Sequence, residues 1–415
     1  MNRQRPRASE DHAASVRRRR LTAAGALIAL VLVLVVVLSA GSGSGPPKYQ
    51  LGGAGSASVL APGRVARGPG AGARAARFRP ARAAVSLAAR LPLERQVAQL
   101  FLVTLDGTSP GAAASLGGID WGGVLFGSSN FRGGAQLARL AAAVAAASRS
   151  MGHLPPLLAA TQAGGPGTAF PGLPPESEQV VGASAQASLA RAQAVLAGAR
   201  LRRLGLNMNL APLADVDTPG GPLSGRLFSA DPAAAMRLSL AAVNGYTSSG
   251  LISAVGHFPG SGGASADPDQ MSATVGGSLD QLRSRDLVPF AALAPRAPVI
   301  VMSNAAYAAF DGVTPAGLLP RAVELLRHDY DFQGVVMSDD LDASLQATGG
   351  DAASAASAAL SAGDDLLYIS GPPSEHQAAY AGVLAAARSS AAVRTRIHEA
   401  LLHVLSLKAR YGILR

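Results

Sequence analysis

Several carboxylates and one histidine stand where apolar runs of this chain give way to polar loops. Such groups can move protons, attack an electrophilic carbon or grip a polar ligand. They are Asp339 and Asp340 in Met337-Ser338-Asp339-Asp340-Leu341, Asp267 and Asp269 on either side of Pro268, Asp215 and Asp217 beyond Asn207 and Asn209, and His257 in His257-Phe258-Pro259-Gly260. Thr161-Gln162, Arg226 and Ser303-Asn304 add hydroxyl, guanidinium and amide donors. By residue type alone, Asp339 serves equally well as a helix N-cap or a salt-bridge partner, and His257 as a structural histidine. Other chemistries lack their residues. With no cysteine among 415 residues, the chain has no disulfide scaffold, thiolate zinc site, iron–sulfur centre or cysteine nucleophile. Gly260-Ser261-Gly262-Gly263 is not followed by the Lys-Ser/Thr of a phosphate loop, and no Gly-x-Ser-x-Gly elbow opens a helix in the body. His328, His398 and His403 are scattered along helical stretches, so neither a metal site nor a cofactor is expected.

The elements that must position these groups are legible as apolar runs. Leu100–Leu105, Gly123–Phe126, Leu157–Thr161, Leu206–Leu213, Leu251–His257, Val299–Asn304, Gly334–Ser338 and Asp365–Ser370 are short, rich in Leu or β-branched residues, and lack strict polar alternation. Parallel strands buried on both faces read this way. Alanine-rich helical stretches alternate with them: Gly133–Met151, Ala183–Leu204, Asp231–Ser249, Leu279–Leu293, Arg321–Tyr330, Ala352–Ala362, His376–Ala387 and the final Ala391–Ala409. Eight strand–helix units over residues 86–415 predict an α/β fold, a (β/α)8 TIM barrel, with chemistry at the C-terminal ends of its strands. A doubly wound sheet would want a glycine-rich loop after the first strand, and Leu102-Val103-Thr104-Leu105-Asp106-Gly107 offers none.

Charge is distributed unevenly. The net charge is +10, yet residues 1–85 hold 14 Lys and Arg against two acidic residues, which leaves the rest at −2. A nucleic-acid-binding body is therefore excluded as the reading of the basic composition. Residues 21–40, LTAAGALIALVLVLVVVLSA, carry no charge and no proline. A helix of that length spans about 30 Å, enough to cross a bilayer. Arg17 to Arg20 precede it, so residues 1–20 are expected to be a cytoplasmic tail, residues 21–40 a retained signal anchor, and the body extracytoplasmic. The alternative is a signal peptide cleaved near Ala40. Residues 41–85, with ten Gly and five Pro, read as a flexible linker; a coil of that length reaches roughly 35–40 Å.

Taken in order, the segments LPLERQVAQLFLVTLDG (91–107), GGVLFGSSN (122–130), LGLNMNLAPLADVDTP (204–219), GRLFSADP (225–232), GLISAVGHFPGSGGASADPDQ (250–270), DLVPFAAL (286–293) and DFQGVVMSDDLDA (331–343) resemble the barrel domain of glycoside hydrolase family 3. The likeness runs from residue 91 to about 371 and is to the single-domain β-N-acetylhexosaminidase branch. It implies retaining hydrolysis of a β-glycosidic bond, with a carboxylate nucleophile on one face of the sugar and an acid near the leaving oxygen. It assigns the nucleophile to Asp339, the acid to Asp269 or Asp267, and sugar contacts to Arg226, His257 and Thr161. The implied partner is a glycan, such as a cell-wall muropeptide.

The chain also departs from the family pattern. Thr161 stands where a sugar-binding Asp is usual, Ala169 where an Arg is, and Gly256 where a Lys precedes the histidine. Asp269 replaces the His of an Asp-x-His acid pair, and Ser261 and Gly263 replace a His and an Asp. Loss of three charged sugar ligands weakens recognition by roughly 5–9 kcal/mol if nothing replaces them. A carboxylic acid with a raised pKa can still protonate a glycosidic oxygen. Two expectations follow: a retaining β-glycosidase of altered specificity, or a catalytically impaired member serving as a membrane-tethered glycan-binding or scaffold protein.

Overall fold

The computed structural model describes residues 78–166 and 168–414. Two short helices, α1 (Arg82–Ala88) and α2 (Leu93–Ala98), lead into the first strand. The barrel has eight strands, β1 (Phe101–Thr104), β2 (Gly123–Phe126), β3 (Leu157–Ala160), β4 (Met208–Asn209), β5 (Ile252–Phe258), β6 (Val299–Met302), β7 (Val335–Met337) and β8 (Leu367–Ile369), and Thr274–Val275 pairs with Ala306–Tyr307 in a separate two-stranded sheet. Each lies inside, or within one residue of, one of the eight apolar runs. They pair in parallel in the order β8-β1-β2-β3-β4-β5-β6-β7, and an isolated parallel bridge between Met337 and Leu366 brings the two ends together into a nearly closed barrel. Every residue of β2, β3 and β6 is buried, which is why these runs show no polar alternation. Gly123 is obligatory in its place. A Cβ there would come within 2.7 Å of Leu102 Cδ1 and Leu157 Cβ on the two flanking strands.

The outer layer holds α3 (Gly134–Ser150), α4 (Glu178–Ser184), α5 (Ala187–Arg203), α6 (Pro232–Ser248), α7 (Leu279–Ser284), α8 (Val288–Leu293), α9 (Pro320–Glu324), α10 (Leu341–Thr348), α11 (Ala352–Ala362), α12 (Pro373–Ser389) and α13 (Ala391–Arg410). Two stretches read as single helices are broken. The Ala183–Leu204 stretch divides at Ala185, which adopts a left-handed conformation with φ 55°. The Leu279–Leu293 stretch divides at Arg285, whose guanidinium turns back to Thr218 Oγ1 (2.7 Å) and the Asp217 carbonyl (3.0 Å), tying this corner to the loop after β4. Helix α10 was not foreseen.

The linker boundary needs correction. Residues 78–85, assigned by composition to the 41–85 linker, are part of the body: Phe78 stacks on His403 of α13 with ring centroids 3.7 Å apart. The Ala81 N–H donates to Ser406 Oγ at 3.0 Å, and Ala84 and Ala88 are fully buried. The basic tail (1–20) and the apolar run at 21–40 lie outside the described residues. Among the described residues, no helix is long and apolar enough to cross a membrane.

At the N-terminal end of the barrel, Lys408 of α13 is fully buried. Its Nζ donates to Gln99 Oε1 at 2.7 Å, and Gln99 Nε2 donates to the Asp120 carbonyl at 2.7 Å. Arg95 Nε donates to the carboxylate of the same Asp120 at 2.6 Å. This face is polar but far from the strand ends that carry the candidate chemistry.

Candidate active site

Strand β7 ends at Met337 and α10 begins at Leu341, so Ser338, Asp339 and Asp340 form the turn between them. Asp340 caps the helix: its Oδ1 accepts from the Asp342 N–H at 3.1 Å and the Ser370 N–H at 3.0 Å. The N-cap role open to Asp339 thus falls to its neighbour. Asp339 instead faces a cavity of about 180 Å³ at the C-terminal mouth of the barrel, together with Thr161, Arg226, His257, Asp269, Asp340 and Tyr368.

His257 is fixed from behind. Asp215, fully buried in the loop after β4, accepts from His257 Nδ1 at 2.9 Å and from the His257 backbone N–H at 3.1 Å. Its other oxygen accepts from the Ser261 N–H. Gly262 permits this close approach, since a Cβ there would lie 1.9 Å from the Val216 carbonyl oxygen. The imidazole then presents Nε2 to Asp339 Oδ2, 4.0 Å away. Burial opposes its charge, but the Asp215 charge and hydrogen bond, with Asp339 and Asp269, outweigh burial and raise the group to about 10. That direction favours the imidazolium, with Nδ1–H donating to Asp215 and Nε2 turned toward Asp339 without bonding it.

The Asp339 carboxyl moves in the opposite functional sense. Burial and then the charge of Asp269 raise it to about 8, against the opposing pull of His257. Asp340 rises to about 6 through burial. Arg226, which the resemblance assigns to a sugar, is engaged by the loop after β5: Nη1 donates to Asp267 Oδ2 at 3.2 Å and Nη2 stands 4.0 Å from Asp269 Oδ2. Asp267 also accepts from Gln270 Nε2 at 3.1 Å and from the Asp269 N–H at 3.2 Å. Asp267 is thereby a strut of its loop, while Asp269 reaches the cavity wall.

Thr161, Arg226, His257, Asp269 and Asp339 therefore come together around one cavity, and Asp267 stands directly behind it. Other polar candidates go elsewhere. Asn209 braces the chain after β3 by exchanging hydrogen bonds with Gln162 backbone groups at 2.9 and 3.0 Å, and Asn207 accepts from the Leu158 N–H at 2.8 Å. Asn304 supports the turn from below by donating to the Asp340 carbonyl at 2.8 Å. Two contributors were not foreseen in their roles: Asp215, whose partner lies 42 residues on, and Tyr368, the half-buried middle residue of β8. Among the described residues, no group of His, Asp and Glu side chains is arranged to hold a metal ion.

The family model described as "Glycosyl hydrolase family 3 N terminal domain" matches residues 92–407. A Beta-hexosaminidase of Stenotrophomonas maltophilia is 33% identical over 196 residues, 47% of this chain and 58% of that protein. The chain thus spans little more than half the length of such curated relatives. Among solved structures, a glycoside hydrolase family 3 beta-N-acetylglucosaminidase from a Paenibacillus species superposes with a TM-score of 0.74 at 29% identity, over 78% of this chain and 63% of that one. A Beta-N-acetylhexosaminidase from Beutenbergia cavernae gives 0.68 at 28% identity, over 78% and 98%. Barrel, strand-end cavity and sequence agree, and the chain belongs to glycosyl hydrolase family 3.

Proposed function

We propose that the barrel is a retaining β-glycosidase that removes a terminal β-linked hexosaminide from a cell-wall glycan, held outside the membrane by residues 21–40. The observation that carries this reading is the convergence of Asp339, His257, Arg226 and Asp269 on one cavity at the strand C-termini. In the first step, the Asp339 carboxylate attacks the anomeric carbon while Asp269 delivers its proton to the leaving oxygen, breaking the glycosidic bond and forming a glycosyl ester. In the second, the Asp269 carboxylate takes a proton from water, whose oxygen displaces Asp339 and releases the sugar. The His257 imidazolium stabilises the Asp339 carboxylate each time it is released.

One observation favours the second reading, a glycan-binding protein without turnover. Burial and the charge of Asp269 both disfavour the ionised form of Asp339, the form a nucleophile needs. Aryl β-N-acetylglucosaminide and aryl β-glucoside hydrolysis, compared between the wild type and Asp339→Asn, separates the two. Turnover that the variant abolishes supports the glycosidase. A folded wild type that is silent in this assay yet binds chitooligosaccharides or muropeptides supports the binding protein.

A further inference from the structure

Five charged side chains face the strand-end cavity: Asp269, Asp339, Asp340, Arg226 and His257. Both cations are shared with carboxylates outside it, and each keeps only a 4.0 Å approach to one inside, Arg226 Nη2 to Asp269 Oδ2 and His257 Nε2 to Asp339 Oδ2. The fully buried Asp215 takes His257 Nδ1–H at 2.9 Å, and Asp267 takes Arg226 Nη1–H at 3.2 Å. Carboxylate is left in excess around the empty volume. Asp340 is partly used by the Asp342 and Ser370 N–H groups. Asp339 is not: it is only 9% exposed, and its Oδ1 accepts from the Asp340 N–H at 2.9 Å. Oδ2 receives no hydrogen bond among the described residues, with His257 Nε2 4.0 Å away. A buried carboxylate with an open oxygen facing a cavity is completed by a cation that brings its own N–H donors.

We infer that this cavity selects a terminal hexosaminide whose C2 nitrogen is a free ammonium over its N-acetylated counterpart. The inference rests on the reading of the cavity as the seat of a terminal hexosaminide. A carboxylate poised at the anomeric carbon faces the nitrogen on the adjacent carbon. An acetamido nitrogen offers one N–H and no charge there, whereas an ammonium offers three N–H donors and a full positive charge. Asp269, across the cavity from Asp339, adds to the same field. The two carboxylates that otherwise oppose each other's ionisation are both stabilised once a cation lies between them.

The test is calorimetric titration of the full chain, in a sugar-free detergent, with two S-linked β-1,4 disaccharides that resist hydrolysis, one of glucosamine and one of N-acetylglucosamine. The glucosamine ligand is expected to bind at least tenfold more tightly. In Asp269→Asn, a change on a side chain 43% exposed, that preference should shrink below threefold. Equal binding, or tighter binding of the N-acetylated ligand, overturns the inference and leaves the hexosaminide reading standing. A preference untouched by Asp269→Asn overturns its assignment to these carboxylates. Binding of neither ligand overturns the inference together with the reading beneath it.

Discussion

Replacing Lys408 by methionine should change the pH dependence of stability by an amount that can be worked out in advance. Burial lowers this amine from 10.5 to about 7, and the charge of Asp120 recovers only part of that loss. Between those values the unfolded chain holds a proton that the folded protein has released, so folding stability rises with pH across the window. Integrated from pH 7 to pH 10, the single group contributes an increase of about 3–4 kcal/mol. Methionine fills a similar volume without titrating. It leaves Gln99 Oε1 without its donor, at about 1–3 kcal/mol, but that cost is the same at both pH values and cancels in the comparison. The assay is urea unfolding followed by circular dichroism, on wild type and Lys408→Met, at pH 7 and pH 10. The variant should gain about 3–4 kcal/mol on the wild type when the comparison moves from pH 10 to pH 7. A difference between the two proteins that stays constant within about 1 kcal/mol would show that water reaches the amine and that its burial does not set its protonation.

Three further outcomes follow from the site and its supports. Asp339→Asn should lower kcat by at least about 10³-fold; a variant whose kcat stays within about tenfold of the wild type contradicts the nucleophile assignment. Asp215→Asn removes the largest favourable influence on His257, so the imidazole titration seen by NMR should fall from about 10 toward the ordinary histidine range, with a loss of stability of about 1–3 kcal/mol from the weakened hydrogen bonds. Asp365, fully buried between Arg327 and Arg396, is held below its ordinary pKa as their charges overcome burial. Its stabilisation is present above the unfolded carboxylate range and fades as pH falls through the folded value. Asp365→Asn should therefore cost about 3–5 kcal/mol in chemical denaturation at pH 7.

The barrel strands were legible because burial on both faces leaves an unmistakable mark: β2 occupies the full run Gly123–Phe126, every residue of it buried. Helix α10 was not, since its start is set by Asp340 turning back on Asp342 N–H, a local bond with no periodic pattern to announce it. The end of the linker was misplaced for a different reason. Gly, Pro and Arg around residue 78 look unstructured in isolation, and the Ala81 N–H finds its acceptor 325 residues away on α13. The helical break at Arg285 likewise depends on acceptors 67 and 68 residues earlier.

The same division runs through the site. Sequence alone determined which residues stand at the strand ends, because apolar runs dictate strands and a parallel barrel presents the following residue of each run at one mouth. It therefore placed Thr161, His257 and Asp339 at a common rim before any contact was known. Tertiary structure decided their charge and availability. Asp215 favours the charged form of His257, Asp267 engages Arg226, and burial with Asp269 disfavours the charged form of Asp339. Those are effects of distance and desolvation between residues 41 to 70 positions apart, and charge in a protein follows proximity in space, which the order of residues along the chain does not contain.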